Sequence, residues 1–556
     1  MTASMRARDD DPYWSLIVGE APRTLGFLDR DPLSPTAGCG DRTYWAWKFT
    51  DFPGARFQES MCVLAYLYAT PHAENQFSGS TALRAWIDLG LRFWAKQQHS
   101  DGSHDEAYPF ERSLAATSFT AFYVAEALRF LGDGIDPATQ SLVRQALSRS
   151  GQWLCRNDEQ HGVLSNHLAA AAAALEHIHV LTGDAVFRRR SRHFIDRILS
   201  SQSREGWYDE YGGADPGYQT HGTFYLARIW QLTGDSGLLD SMRASTRFLA
   251  HCVHPDGSLG GEYGSRNTQT YYPAAFEMLA GVDPTAASIA HRLRSAVSSG
   301  TAAGQRSVDA YNYFPLLNNL VFARQAFLAS DATLGTDPVP HEGVTHFPDA
   351  GIVRVDRTGA VVMVGTSKGG VVKLFARNSG RLTASDCGLI ARLDNGRPCA
   401  TQYLDRDRKV EVTADRIVIR GTLMECARPV MDPVRFLLFR GFMITIGRAP
   451  AMARWIKNLL VRVLITRRAS LQLQHERIIT IADGELLVED RVTGPDLGRL
   501  RDVWRGHVFT TVHMGSSRYF VPQELQAVDG RAGLEPIEVG PGSREIVSRR
   551  RAAIPA

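Results

Sequence analysis

The sequence predicts a multidomain protein in which an incomplete α/α toroid of helical hairpins is followed by an antiparallel β-sandwich. Three observations predict this fold: a glycine turn that recurs about every 50 residues, a second loop series between those turns, and a change to short β-branched runs near residue 331. The chain has 556 residues, of which 44% are hydrophobic, so it is long enough and apolar enough for two or three domains. We predict a toroid domain over residues 1–335 and a sandwich domain over residues 336–556.

The recurring turn joins one predicted helix to the next. Glycine accepts the left-handed conformation that closes a helix, and the aspartate that follows can cap the next one. The four glycines are 51, 51 and 47 residues apart, and helical patterns lie between them over residues 113–131, 166–181, 223–232 and 238–252. The turns are Leu131-Gly132-Asp133, Thr182-Gly183-Asp184, Thr233-Gly234-Asp235 and, more loosely, Ala280-Gly281-Val282-Asp283.

A second loop series lies out of phase with these turns. Each of its loops is followed within a few residues by an acidic and an aromatic side chain. Long loops of this composition at one end of the hairpins would line a shared cleft, which favours a closed toroid over an open superhelix of the tetratricopeptide or HEAT type. The loops begin at Asp101-Gly102-Ser103, Glu205-Gly206-Trp207 and Asp256-Gly257-Ser258.

Short β-branched or alternating runs follow a linker that contains Pro and Gly, and they predict the strands of the sandwich. Turns such as Asn395-Gly396 and Asp483-Gly484 are typical of antiparallel hairpins. The last residues, 548–556, read as a frayed tail. Strands are predicted over residues 351–355, 360–365, 371–375, 409–421, 437–446, 470–474, 477–482 and 485–492.

Bulk composition limits location and partners. The net charge of +3 gives no general argument for a nucleic-acid partner, and the seven scattered cysteines lack zinc-ligand spacing. The N-terminus has no apolar leader pattern, so we expect a cytoplasmic protein. Residues 447–468 alternate bulky apolar groups with Arg and Lys, which fits peripheral contact with an anionic membrane or, alternatively, an ordinary strand or helix with a solvated basic edge. The oligomeric state stays open.

Three stretches resemble the heparinase II/III type of polysaccharide lyase and the related dermatan sulfate epimerases. They are Ser165-Asn166-His167 at a helix start, residues 206–218 (GWYDEYGGADPGY), and residues 346–351 (HFPDAG) at the domain junction. The resemblance implies an enzyme that cleaves an acidic, uronate-containing polysaccharide or oligosaccharide by β-elimination. It also implies that Asn166, with His167, holds the uronate carboxylate and that Tyr218 exchanges protons.

The implied chemistry is physically sound. A proton beside a carboxylate is acidic only if preorganised donors stabilise the developing enolate. A tyrosine beside positive groups can then remove the C5 proton and pass one to the leaving glycosidic oxygen. His221 lies three residues after Tyr218 and shares its helix face, so it would support Tyr218 or the substrate. The candidate substrate-binding residues are Glu210, Asp209, Glu106, Tyr211, Arg377 and Arg381, with Lys373 in the same basic cluster.

The chain departs from this family in its β domain. The family's lyases place a His early in that domain, before a strand that ends in NGRP. Here residues 384–388 read ASDCG before Asn395-Gly396-Arg397-Pro398, and the His is missing. His346 or Asp386 would have to supply the second proton-transfer group. No cofactor is expected, although His and Asp residues between the domains leave a divalent metal open.

Three other functions compete with the lyase. A glycoside hydrolase would pair Asp105 or Glu106 with Asp209 or Glu210 as acid and base. A C5 epimerase would use the same proton abstraction without elimination, and a cytoplasmic location in glycan biosynthesis would suit it. A non-catalytic glycan-binding or assembly protein is the third. Motifs of terpene cyclases, of GxSxG esterases and of phosphate loops are missing from the sequence.

Overall fold

The computed structural model describes the greater part of the chain. The described residues are 11–159, 164–330, 339, 342–426, 431–461, 470–482, 484–507, 519–527, 533–540 and 542–555.

Helices fill the N-terminal half. Two short ones lead the domain, and the rest alternate between an inner and an outer layer. The leading helices are α1 (Trp14–Gly19) and α2 (Ala21–Phe27). The others are α3 (Ser60–Ala69), α4 (Thr81–Gln97), α5 (Leu114–Leu131), α6 (Pro137–Arg156), α7 (Ser165–Thr182), α8 (Ala185–Ser201), α9 (Pro216–Thr233), α10 (Ser236–Ala250), α11 (Ala274–Leu279), α12 (Pro284–Ser299) and α13 (Ala310–Ala329).

The odd-numbered helices from α3 to α13 form the inner ring, because each packs against the next and α13 packs against α3. The even-numbered helices from α4 to α12 lie outside them, and α1 and α2 pack where α13 meets α3. Inner helices are buried along most of their length: in α7 the run Ala169–Ala174 is fully buried. A helix that is apolar all round must be buried, and small side chains let its neighbours approach closely. The predicted toroid is confirmed.

The predicted joints explain the alternation. Gly183 and Gly234 close α7 and α9 in the left-handed conformation, with φ of 74° and 67°. The carboxylates of Asp184 and Asp235 then cap α8 and α10 by accepting the N–H groups of Val186 and Leu238.

The first and last joints differ in detail. Gly132 also has a positive φ, but α6 is capped by Asp136 and not by the predicted Asp133. In the last joint, α11 ends at Leu279 and Asp283 caps α12.

Two antiparallel sheets form the C-terminal domain, as predicted. The first has five strands in chain order: β1 (Gly343–Phe347), β2 (Ile352–Arg357), β3 (Ala360–Gly365), β4 (Val371–Ala376) and β5 (Leu382–Asp386). The second has the order β13-β12-β6-β7-β9-β10-β11-β14, with β8 paired to β9. Its strands are β6 (Leu389–Leu393), β7 (Pro398–Ala400), β8 (Lys409–Val412), β9 (Arg416–Glu425), β10 (Ser470–Ala482), β11 (Glu485–Thr493), β12 (Leu500–Gly506), β13 (Leu534–Ile537) and β14 (Glu545–Ala553).

The first sheet lies between the toroid and the second sheet. Val362 and Leu374 on one of its faces share a core with Ile419 and Ile479 of the second sheet. Met363 on its other face belongs to the core of the toroid. Side chains alternate across a strand, so this sheet is buried on both sides and couples the two domains.

Two sequence predictions in this domain are wrong. Residues 437–446 are not a strand, because α14 (Pro433–Ile444) covers all but the last two of them and α15 (Pro450–Val461) follows. Asp432 caps α14 by accepting the N–H of Arg435, and Pro433 occupies its first turn, where proline suits a helix. Residues 548–553 are not frayed, since β14 pairs with β11 along its length. A short helix, α16 (Gln523–Ala527), follows later in the chain.

The predicted domain boundary at 335/336 lies outside the described residues. The last toroid helix ends at Ala329, and the first strand begins at Gly343.

Candidate active site

The candidate site lies at the rim where the inner helices begin. Each long loop precedes an inner helix in the chain, and each glycine joint follows one. The N-termini of α5, α7, α9 and α13 therefore lie at this rim. The loop residues there have unusual backbones: Tyr211 and Asn267 both have φ of 60°. Non-glycine residues in the left-handed region are uncommon and are held there by their surroundings.

Asn166 stands at the start of α7 and is held by Glu210. The Asn166 backbone N–H donates to Glu210 Oε1 and its side-chain Nδ2 donates to Oε2, both at 2.8 Å. Both residues are buried. Burial, with the nearby Asp215 charge, raises the pKa of Glu210 to about 8, although the Asn166 hydrogen bonds work against the shift. At neutral pH, Glu210 therefore adds little negative charge beside Asn166.

Tyr218 lies in the first turn of α9. The helix begins at Pro216, and the carboxylate of Asp215 caps it by accepting the Tyr218 N–H at 3.0 Å. The other oxygen of Asp215 accepts the backbone N–H of Arg266 at 2.8 Å. One carboxylate therefore fixes both residues, and the side chain of Tyr218 is half-buried.

Arg266 is the cation of the site. Its guanidinium lies 4.2 Å from the centre of the Tyr211 ring and 5.6 Å from that of Tyr218. The residue is only 4% exposed, and its Nε and Nη1 have no hydrogen-bond partner within the described part of the chain. Burial acts to lower the pKa of Arg266, but Tyr218 and Tyr211 outweigh it and the pKa is raised. A charged guanidinium with unpaired donors is suited to a carboxylate.

His221 is buried one turn further along α9. Its ring stacks on Tyr272 with 3.9 Å between the ring centres, and its Nε2 lies 3.1 Å from the hydroxyl of Tyr225. Burial, followed by the charges of Arg56 and His167, holds the pKa of His221 well below its ordinary value. The imidazole is therefore neutral and rigidly placed.

Phe119 of α5 joins the remaining groups. His221 stacks on it at 5.5 Å, His167 meets it edge-on at 5.6 Å, and the Arg56 guanidinium lies 4.4 Å from its ring centre. Arg56 in turn pairs with Glu106 at 3.0 Å.

Two carboxylates complete this group. Glu59, which also pairs with Arg56, has its pKa raised to about 7 by burial. His167 Nδ1 lies 2.8 Å from the carboxylate of Glu159.

The β domain contributes to the same rim. The hydroxyl of Tyr519 donates to Asp309, the cap of α13, at 2.9 Å, and Tyr519 is close enough to Tyr218 and Tyr272 for their charges to affect its pKa, which burial raises. On β4, Lys373 forms a buried ion pair of 2.5 Å with Glu262 of a rim loop.

Other predicted residues do not join this group. Arg377 donates to Asp356 at 2.7 Å, and Arg381 is exposed in the turn between β4 and β5. Asp386 is paired with Arg477 inside the β domain, and His346 is exposed on β1. A charge pattern on a strand does not reveal which partner each side chain will meet, so the sequence misplaced these four.

The carboxylates proposed for a hydrolase are occupied. Asp209 accepts the N–H of Gly212 at 2.6 Å and braces its loop, while Asp105 accepts two backbone N–H groups and contacts His99. Glu210 holds Asn166, and Glu106 pairs with Arg56. Among the described residues, neither Asp105 nor Glu106 has a side-chain contact with Asp209 or Glu210. The geometry therefore does not favour a hydrolase in which two of these carboxylates act as acid and base.

Sequence reasoning missed Arg56, Arg266, Tyr272 and Tyr519. The position of Arg266 in the sequence could have identified it. Arg266 follows the start of the third rim loop at Asp256, just as Tyr218 follows the start of the second rim loop at Glu205. The described residues contain no cluster of three His, Cys, Asp or Glu side chains arranged to hold a metal.

Comparison with known proteins bears on the fold. Residues 53–306 match the family model of the ulvan lyase N-terminal domain. The comparison with curated proteins gives no match.

Solved structures match over both domains. A Paenibacillus xanthan lyase aligns with 91% of this chain at 11% identity and a TM-score of 0.54, and the chain spans 47% of that lyase. The Streptomyces coelicolor A3 chondroitin AC lyase, solved with chondroitin sulphate, aligns with 91% of this chain and 69% of its own length, at 11% identity and a TM-score of 0.54. A heparinase III aligns with 91% of this chain and 73% of its own, at 9% identity and a TM-score of 0.50. These findings confirm the predicted fold class and the resemblance to toroid polysaccharide lyases.

Proposed function

We propose that this chain, which has the fold of the toroid polysaccharide lyases and an ulvan-lyase-type domain over residues 53–306, is itself a polysaccharide lyase. Its substrate is an acidic, uronate-containing polysaccharide or oligosaccharide, and the reaction is β-elimination. The observation that carries the proposal is the buried Arg266, whose unpaired donors lie beside the half-buried Tyr218.

Arg266 provides the charge stabilisation that the first step needs. Removing the C5 proton spreads negative charge onto the uronate carboxylate, and a fixed guanidinium in a water-poor site stabilises that charge. The Tyr218 ring lies 5.6 Å from the same guanidinium, and its hydroxyl acts as the base. The C5–H bond breaks, a C4–C5 double bond forms, and the C4–O bond breaks. Tyr218 then returns the proton to the leaving oxygen.

Asn166 is the second carboxylate ligand. One hydrogen of its Nδ2 is held by Glu210, which orients the amide and leaves the other hydrogen for the substrate. The raised pKa of Glu210 is useful here, because a neutral carboxyl does not repel the uronate. His221, neutral and stacked on Tyr272, positions the first turns of α9 and does not carry a proton through the reaction.

The test is an assay of purified protein on ulvan, chondroitin sulphate and xanthan, with a neutral glucan as the negative control. A lyase forms a 4,5-unsaturated uronide, which is followed by its ultraviolet absorbance. The Tyr218→Phe variant should lose at least about a hundredfold in kcat/KM, since it lacks the proton-transferring hydroxyl. Tyr68→Phe is the matched control, because Tyr68 is also half-buried but lies at the end of α3, on the opposite rim.

The other outcomes identify the competing functions. Deuterium from solvent at C5 without chain cleavage would indicate an epimerase. New reducing ends without the unsaturated chromophore would indicate a hydrolase. Tight polymer binding that both variants retain, without any product, would indicate a glycan-binding protein.

A further inference from the structure

The α14–α15 hairpin carries an apolar surface that points away from the molecule. We call this surface the hairpin face. Its side chains are large and strongly exposed: Leu437 is 69% and Leu438 71% exposed, and the indole of Trp455 is 54% exposed. The face consists of Val434, Phe436, Leu437, Leu438, Ile444, Ile446, Trp455 and Leu459. Several large exposed apolar side chains on one short hairpin are typical of an interaction site.

The opposite side of the hairpin is anchored to the rim of the toroid. Phe439 packs edge-on against Tyr108 with ring centres 5.0 Å apart. The backbone carbonyl of Arg448 accepts a hydrogen bond of 2.8 Å from Arg112, and Lys457 pairs with Glu111 at 3.5 Å. The hairpin is therefore a fixed part of the fold, and its exposed face is a consequence of how it is docked.

The charged side chains of the hairpin indicate which kind of partner its exposed face would bind. Residues 433–461 contain five basic side chains and no acidic one. Asp51, Glu111 and Asp432 pair with Arg440, Lys457 and Arg435.

The other two basic residues, Arg448 and Arg454, are exposed; the Arg448 guanidinium lies 5.3 Å from the Phe110 ring centre, and Arg454 lines a cavity between α15 and the toroid. Like charges would oppose a second copy of the same face, whereas an anionic lipid surface satisfies both the apolar and the basic groups.

We propose that the hairpin face binds the surface of an anionic lipid bilayer. The apolar side chains enter the boundary between headgroups and acyl chains, and the arginines contact the lipid phosphates. None of the described helices is long and apolar enough to cross a membrane. In the proposed binding mode, the hairpin lies in the plane of the interface.

Docking would also bring the active-site rim towards the membrane. A cavity of about 220 Å³ separates α15 from the rim and is lined by Ala453, Lys457 and Glu159, the partner of His167. This binding is independent of the proposed reaction, because none of the hairpin residues belongs to the catalytic group.

Co-sedimentation with vesicles tests the proposal. Full-length protein is mixed with vesicles of phosphatidylglycerol and phosphatidylcholine, or of phosphatidylcholine alone. We expect binding to the anionic vesicles, weakened by salt, and at least about tenfold weaker binding for the double variant Leu437→Glu/Leu438→Glu. Leu33→Glu is the matched control, since Leu33 is 92% exposed but lies outside the hairpin. Circular dichroism verifies that each variant is folded.

Three results would overturn the proposal. The first is wild-type protein that stays in the supernatant with anionic vesicles. The second is a folded double variant that binds them as the wild type does. The third is an oligomer that the double variant dissociates while vesicle binding is absent, which would make a second copy the partner of this face.

Discussion

Glu210→Gln gives the sharpest test of the site's electrostatics. Burial raises the pKa of Glu210 from 4.5 to about 8, so the folded protein holds this proton more tightly than the unfolded chain does. For a group whose pKa is raised by folding, stability is greatest below the unfolded value and is lost as pH rises through the folded value. Wild-type stability should therefore fall between about pH 5 and pH 8, while glutamine, which does not titrate, removes this loss.

The size of the effect follows from the two pKa values. Integrating the difference in bound protons between about pH 5 and pH 8 gives about 3.5 kcal/mol. Urea unfolding gives the free energy of unfolding of the wild type and of Glu210→Gln at pH 5 and at pH 8. The effect is the change, between the two pH values, in the difference between these free energies. Glu74→Gln, at an exposed position, is the control and should show no such change. Equal stability differences at both pH values would show that Glu210 is already ionised at pH 5, and our account of Asn166 would fail.

Three further predictions concern the site and the ring. Arg266→Lys should lower kcat/KM about a hundredfold without changing the unfolding midpoint greatly, because a lysine keeps the charge but lacks the planar donors; unchanged kinetics would contradict the role of Arg266. Asp184→Ala should cost about 1 kcal/mol in urea unfolding and leave kcat unchanged, since it removes only the cap of α8. Ala172→Leu should cost about 1–3 kcal/mol, because Ala172 is fully buried where α7 meets its neighbours; a neutral effect would mean that the ring has unfilled space there.

The ring was predictable because its joints are local. A glycine that closes one helix and an aspartate that caps the next act within a few residues, so Gly183-Asp184 and Gly234-Asp235 reveal the repeat without any knowledge of packing. The α14 helix was missed for the opposite reason. Its apolar run fits a buried strand as well as a helix, and only the Asp432 cap and Pro433 distinguish them.

The site was predictable only in part. Asn166 and Tyr218 open helices after recognisable loops, so the sequence located both. Arg266 lies in an irregular loop without periodicity, and its role depends on Asp215 and Tyr211, which come from a different repeat. Tyr519 belongs to the C-terminal domain, and its distance from α9 in the sequence does not predict that the two lie close together.

The geometry of the ring also bears on how a nearly neutral protein would hold the acidic polymer that we propose as its substrate. Because every glycine joint leads out of an inner helix, every inner helix begins at the opposite rim, and the positive ends of the α5, α7, α9 and α13 dipoles point towards one cleft. Arg266 adds a full charge at that rim and is buried where salt screens it little, whereas Arg56 is paired with Glu59 and Glu106. The net charge of +3 hides this arrangement, because it averages over the surface. The orientation of the helix dipoles follows from topology, so the alternation of short joints and long loops determines which rim would attract the proposed polyanion.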